Sequence, residues 1–250
     1  MSVLLGAEER RAPLEEGYVV LPGAVPRARV EHALRAINAS LGEEGIPRDD
    51  LPRMRAQTFC PELVRAPLLL ELYGGTPLAS LAQAAIGRPR APTVAQIALR
   101  FPSADAATAE PRPHIDGIPQ PLNGVDPGAI YHFTAVAAVF LSDVDGPYQG
   151  NFTVWPGTHR ALAAHFAAHG TDVLLAGFPP IALPPPRQLA VRAGDVLLAH
   201  YLLAHAAAPN RGPHIRYAVF FRLLHQTHDP SSTDTMVDLW REWEGLVSDG

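Results

Sequence analysis

A β-sandwich or jelly roll beneath a helical N-terminal layer is the fold this chain predicts, and three observations predict it. Up to about residue 92, apolar side chains recur at three- and four-residue steps. From Thr93 onward the texture changes to short β-rich stretches separated by Gly, Pro and Asp, and no repeat or second domain interrupts the 250 residues. One domain of that length buries a substantial core. The expected divisions are a helical layer over about 1–92, a β core over about 93–225 and a C-terminal helix over about 234–247.

Taken in order, Glu15 to Gly23 reads as a short strand bounded by turn residues. Pro26 to about Leu41 reads as a helix with Val30, Ala33, Leu34 and Ile37 on one stripe and Gly42 placed to end it. Pro61–Ala66 and Pro77–Ile86 suggest two more. The first resumes after Pro67 as far as Leu72; the second is closed by Gly87 and followed by Pro89. Val94–Phe101, Ile130–Leu141, Phe152–Trp155, Leu189–Val191, Val196–His200 and Ile215–Leu224 read as strands. Residues 101–129 and 171–188 are rich in Pro and Gly and too long for hairpin turns, as loops covering a binding site are. Met236, Leu239, Trp240 and Trp243 are spaced like a helix face between Asp234 and Leu246.

Composition narrows the function. A formal charge of -5 provides no broad positive field for nucleic acid or an anionic membrane, so a small-molecule substrate fits better. All 20 basic residues are arginine, which removes Schiff-base, P-loop and general-base lysines and leaves arginine or protonated histidine to hold any anion. Cys60, the one cysteine, cannot make an intrachain disulfide, a Cys-rich zinc site or an iron–sulfur cluster, which is consistent with a reducing cytosol. The opening residues lack the order of a signal peptide and no uninterrupted apolar run reaches about 18 residues, so a cytoplasmic protein is expected. Oligomeric state is not legible.

The chemistry begins at Pro113-His114-Ile115-Asp116-Gly117, where an imidazole and a carboxylate two residues apart share one face of a strand. Joined by a second imidazole, they are the three ligands of a facial iron site with open positions for substrate and oxygen. Alone the triplet is close to chance: 11 His among 250 residues give roughly 0.6 such occurrences at random, and a surface His beside a turn-forming Asp reads equally well. The second imidazole comes from the stretch after Gly194-Asp195, where His200 and His205 occupy apolar positions. A buried imidazole needs a hydrogen-bond partner or a metal. Arg216 lies in an otherwise apolar strand and wants an anion, either the far carboxylate of a keto acid or an internal salt bridge.

Here the chain resembles the phytanoyl-CoA dioxygenase family of iron- and 2-oxoglutarate-dependent oxygenases, through most of its length. Glu16 to Gly23 looks like the family's opening, and Pro113 to Asp116 like its His-x-Asp pair. Gly150 through Pro156-Gly157-Thr158-His159 is similar to its glycine-led strand, and Gly194-Asp195 through His205 to its second metal segment. The resemblance implies a double-stranded β-helix of the jelly-roll, cupin-like kind. It implies that His114, Asp116 and His205 ligate Fe(II), and that Arg216 binds the far carboxylate of 2-oxoglutarate, O2 being the oxidant. Gln96 and Arg100 fall where the family often has Gln and Lys and would line the cosubstrate pocket. The small or hydroxylated residue that often follows the distal histidine is replaced by Ala206-Ala207-Ala208, so a hydroxyl contact to 2-oxoglutarate is sought from Thr134. The implied activity is a dioxygenase that hydroxylates or otherwise oxidises a small organic molecule with release of succinate and CO2.

Other polar residues read both ways. His132, Tyr131 and Trp155 are candidates for the substrate pocket and equally for β-strand packing. His159 reads as a turn or helix cap, His200 as a core histidine with its hydrogen bonds satisfied, and His165, His169, His225 and His228 as solvated or helix-end residues. No basic run suggests a phosphate-binding patch. Two further functions stay open: a non-catalytic ligand-binding β-sandwich with a bracing metal, and a cupin-type metalloenzyme that does not use 2-oxoglutarate.

Overall fold

The structure is a computed structural model that describes residues 5–103 and 109–247. The described residues form eight strands: β1 (Tyr18–Leu21), β2 (Gln96–Arg100), β3 (Ala135–Phe140), β4 (Phe152–Val154), β5 (Arg187–Gln188), β6 (Val196–His200), β7 (His205–Ala207) and β8 (Arg216–Leu223). They also form seven helices: α1 (Ala7–Glu15), α2 (Arg27–Glu44), α3 (Leu51–Ala56), α4 (Pro67–Gly74), α5 (Pro77–Ile86), α6 (Thr158–His169) and α7 (Glu244–Val247). The larger sheet is antiparallel with order β1-β6-β3-β8-β2, and the smaller has order β5-β4-β7. An isolated antiparallel bridge between His114 and His205 continues the smaller sheet beyond β7. These are the two sheets of a jelly roll with helices laid on one side, as expected. Helices hold more residues than strands, because the strands are short and the N-terminal layer is almost all helix.

The larger sheet is buried on both faces, which explains its nearly continuous apolar strands. Ala135, Ala137 and Val139 of β3 and Val219 and Phe221 of β8 face the helices, against Ile37, Leu69, Leu72, Leu81 and Ile86. The alternate residues, Ala138, Phe140 and Ala218, face the smaller sheet against Phe152 and Val154. Each fully buried Leu, Ile or Phe in these layers contributes about 1.5–3 kcal/mol of transfer free energy. Helix α5 is launched by Pro77 at its first position, with the Thr76 hydroxyl accepting from Leu78 N–H, and stopped by Gly87 at φ +91.

Several elements depart from expectation. Helix α2 runs past Gly42 to Glu44, and Gly45, at φ +69 and donating to Leu41 O, ends it. Helices α1 and α3 were not legible; α1 has no apolar stripe and carries Pro13 near its end. Pro61–Leu63 is a single 3-10 turn, separate from α4. The strand expected over Ile130–Leu141 begins only at Ala135, because Tyr131 N–H is taken by Gly117 O. The strand expected at Leu189–Val191 lies instead at β5, with Val191 bridging Val144.

The C-terminal helix expected over about 234–247 is not a helix. A 3-10 turn at Asp234–Met236 is followed by further tight turns, Trp243 N–H donating to Trp240 O, and only the last four of these residues form a helix, α7, where Leu246 N–H donates to Trp243 O. The carbonyl of Leu239 is taken by His200, and Trp240 and Trp243 pack against that imidazole with ring centroids 5.7 and 5.4 Å away. Those contacts override the helical spacing of the apolar residues.

Candidate metal centre

His114 and His205 lie side by side because their backbones exchange hydrogen bonds: His114 N–H donates to His205 O at 3.0 Å and His205 N–H to His114 O at 2.9 Å. Their ring centroids are 4.6 Å apart. Asp116 follows on a turn that Gly117 makes possible: Gly117 has φ +79, and a Cβ there would lie 1.9 Å from Tyr131 O. Asp116 Oδ1 stands 3.8 Å from His114 Nε2 and 3.6 Å from His205 Nε2. One donor atom from each residue falls within 4.8 Å of the others, the one such group among the described residues. Two nitrogens and one carboxylate oxygen on one side, opening into a cavity, fit a non-haem iron ion.

His205 and Asp116, two of the three candidate ligands, are each held by a neighbour. His205 Nδ1 lies 2.9 Å from Leu203 O, so a proton there leaves Nε2 free to ligate, and its ring stacks on Phe152 at 5.2 Å. Asp116 Oδ2 accepts from Arg222 Nη2 at 2.8 Å, which leaves Oδ1 toward the imidazoles. Burial by itself raises the Asp116 carboxyl, but the Arg222 guanidinium and the two imidazoles outweigh it and hold the group well below the usual carboxylate range. Burial, then the neighbouring His205, pushes the His114 imidazole down to about 4. Both groups are therefore in their metal-binding forms at neutral pH.

A cavity of about 700 Å³ opens from this triad, and Gln96, Arg100 and Arg216 are among the residues that line it. Arg216 is buried; its Nε donates to Gly150 O at 2.8 Å and its Nη1 to Ala98 O at 3.1 Å, which fixes the guanidinium plane. No carboxylate among the described residues forms an ion pair with it, so the internal salt bridge is excluded there. Gly150 owes its identity to this packing: a Cβ would lie 2.9 Å from Arg100 Cβ and 3.1 Å from Arg216 Cβ. Gln96 donates to Gln57 O and Arg100 to Leu99 O, each from one nitrogen. Of the two long loops, residues around 111–123 line the cavity, whereas 171–188 do not.

Four expected pocket residues lie elsewhere. Thr134 is buried, donates to Glu242 and accepts from His225 N–H, so its hydroxyl is consumed away from the cosubstrate pocket. His132 is buried against His228 and Tyr201, with ring centroids 4.7 and 6.2 Å away. Tyr131 is exposed, its hydroxyl donating to Asp126 at 2.9 Å. Trp155 is buried with Ala204 and Ala206 behind β7. Among the remaining histidines, His200 is satisfied by Leu239 O and Leu202 N–H as expected. His159 is not a cap but a fully buried residue of α6 beside Leu14 O, while Thr158 ties the turn by donating to Trp155 O and accepting from Ala204 N–H. His225 and His228 are buried rather than solvated, His228 against Glu242 at 2.9 Å.

Sequence reasoning also missed the positive charge of the cavity. Arg55, Arg100, Arg112, Arg216 and Arg222 all line it, from four separate places in the chain, so no basic run announced them. Arg222 was findable: it lies six residues after Arg216 on β8, and strand periodicity puts the two on one face.

No curated protein matches the chain. Among solved structures it is similar to the non-heme alpha ketoglutarate dependent carbocyclase SnoK from nogalamycin biosynthesis, at 21% identity and TM-score 0.59 over 94% of this chain and 90% of that one. The epimerase SnoN from the same biosynthesis matches at 19% identity and TM-score 0.61, covering 91% of this chain and 86% of that one. HygX from Streptomyces hygroscopicus matches at 22% identity and TM-score 0.60, covering 91% and 90%. At such identities these likenesses speak to the fold. The sequence profile described as phytanoyl-CoA dioxygenase (PhyH) matches residues 14–218, most of the chain and all of the residues that build the cavity except Phe220 and Arg222. The chain thus belongs to the phytanoyl-CoA dioxygenase family of iron- and 2-oxoglutarate-dependent enzymes.

Proposed function

We propose that this enzyme oxidises an aliphatic carbon of a small organic molecule, by hydroxylation or a related oxidation, and that it works as one domain in the cytoplasm. The observation that carries the reading is a His114–Asp116–His205 triad opening into the same cavity as Arg216, a buried arginine without an acidic partner among the described residues. In this reading the triad holds Fe(II), and Arg216 takes the distal carboxylate of 2-oxoglutarate, its plane set in advance by Gly150 O and Ala98 O. Gln96 and Arg100 line the cosubstrate end. Bound there, iron with 2-oxoglutarate supplies the oxidising power of O2 while the keto acid leaves as succinate and CO2. Leu203 O orients His205, Arg222 orients Asp116, and Phe152, Phe220, Val136 and Ile118 exclude water from the reacting carbon.

The named neighbours support an outcome wider than hydroxylation, since SnoK is a carbocyclase and SnoN an epimerase. HygX has been seen with nickel, 2-oxoglutarate and hygromycin B, which supports a small-molecule substrate here. Pairing of β1 with β6 and packing of α7 on α5 support one domain. A single buried cysteine supports a reducing compartment.

The test is an anaerobic titration of Fe(II)-loaded protein with 2-oxoglutarate, followed by succinate release in air with ascorbate. Wild-type protein binds both, and Arg216→Ala keeps the metal while losing about 10- to 100-fold in 2-oxoglutarate affinity, as expected for charge-assisted hydrogen bonds. Metal binding without 2-oxoglutarate binding would instead favour a cupin-type enzyme.

A further inference from the structure

The proposed reading uses the arginines of the cavity unevenly. Arg216 receives the cosubstrate, and Arg222 is already paired with Asp116. Arg100 stands directly opposite Arg216 in the β2–β8 register, an unfavourable placement of like charges, and burial together with the charge of Arg55 pushes it down to about 10. Arg55 on α3 and Arg112, two residues before His114, are exposed where this cavity meets an adjoining one of about 480 Å³. Neither has an ion-pair partner among the described residues. Some other surface arginines do, Arg27 with Glu31, Arg187 with Glu16, and Arg192 with Asp143 and Asp145, while the exposed Arg35, Arg48 and Arg65 lie away from the cavity.

Among the described residues, no unengaged acid at the site balances these charges. Asp116 is the single carboxylate among the described residues that lines the larger cavity, and Glu110 in the adjoining one is engaged by Tyr148 and Arg211. Iron and 2-oxoglutarate do not change the surplus, because two positive charges arrive with two negative ones. The lining also has an apolar part, with Ile118, Leu122 and Phe152. A concave site with one sign of charge at its mouth and an apolar wall concentrates an anion of the other sign.

We infer that Arg55 and Arg112 form an anion subsite that selects a substrate with a carboxylate or phosphate at one end and an apolar body at the other. Two guanidinium forks grip either oxyanion in bidentate fashion. The anchored end places the apolar body along Ile118 and Phe152, within reach of the triad. The inference rests on the reading that the same cavity holds iron and 2-oxoglutarate.

The test uses protein loaded with Fe(II) and 2-oxoglutarate under argon, titrated calorimetrically with phenyl phosphate, benzoate and, as the neutral counterpart, benzyl alcohol. At least one anion is expected to bind tenfold or more tightly than the alcohol, and which one binds distinguishes phosphate from carboxylate. In the double variant Arg55→Gln/Arg112→Gln that preference is expected to fall at least tenfold, while the affinity for 2-oxoglutarate stays within twofold. Equal binding of anions and alcohol, no anion binding by the wild type, or an unchanged preference in the variant overturns the subsite. Loss of 2-oxoglutarate binding in the variant alone also overturns it, by assigning these arginines to the cosubstrate. Failure of the wild type to bind 2-oxoglutarate at all sinks the reading beneath it instead. A thermal unfolding curve matching wild type confirms that the variant, altered at two exposed positions, is folded.

Discussion

Asp116 divides its two oxygens between different partners, Oδ2 to Arg222 and Oδ1 to the imidazoles, so the ligand atom is chosen before any metal arrives. The same economy of partners governs the histidines that take no part in the site. Burial pushes His159 down to about 4 and His200 to about 3, so both are neutral in the folded protein at pH 7. The unfolded chain takes up their protons below about pH 6.5, so their contribution to stability is present above that value and lost as pH falls toward 4, at about 1.4 kcal/mol per pH unit each. Replacing His159 by Phe removes one of these losses. Comparing urea unfolding at pH 7 and pH 5, the drop in stability is expected to be about 2 kcal/mol smaller in His159→Phe than in wild type; an equal drop would show that this imidazole is not buried neutral. At this scale the grouping of His114, Asp116 and His205 beside one cavity with Arg216 was legible because few residue types offer metal-ligand atoms, and arginine is the one permanent side-chain cation in a lysine-free chain. Thr134 and His132 were misread because residue type does not reveal that Glu242 and His228, about a hundred residues away, claim them.

Strands and turns carry the site more than helices do. The turn at Gly117 aims Asp116, and its φ of +79 and the nearness of Tyr131 O leave no room for a side chain. Gly117→Ala is therefore expected to cost about 1–3 kcal/mol of stability and to weaken Mn(II) binding by more than about tenfold, in line with losses seen when a ligand's support is disturbed. Wild-type metal affinity in this variant, measured by calorimetry, would show that the turn does not aim the carboxylate. The strand pattern was readable where alternation or apolar runs were strong, as in β3, β6 and β8. It failed at β7 and at the His114 bridge, which are too short to show a period: β7 is defined by its pairing with β4, and His114 by its bridge to His205. The C-terminal segment failed for the opposite reason: its spacing is helical, but Trp240 and Trp243 enclose His200 and the backbone turns to let them.

At the scale of the whole molecule, the ligands come from segments nearly ninety residues apart and meet only in the folded state. Metal binding is accordingly coupled to folding. At a hundredfold excess over its Kd, a divalent ion is expected to stabilise the protein by about 2.7 kcal/mol, a rise of several degrees in thermal midpoint. A chelator should reverse the rise and His205→Ala should abolish it; an equal rise in that variant would place the ion elsewhere. Membership in the family was legible because its motifs are spread along the chain in order. The cationic cavity was not, because α3, β2, the segment before His114 and β8 contribute to it one or two arginines at a time.

His205 belongs to the smaller sheet and Arg216 to the larger, joined across the cavity by no strand. A cosubstrate anchored at both ends is therefore also a mechanical brace. It ties a sheet whose strands are two or three residues long to one whose strands are buried on both faces.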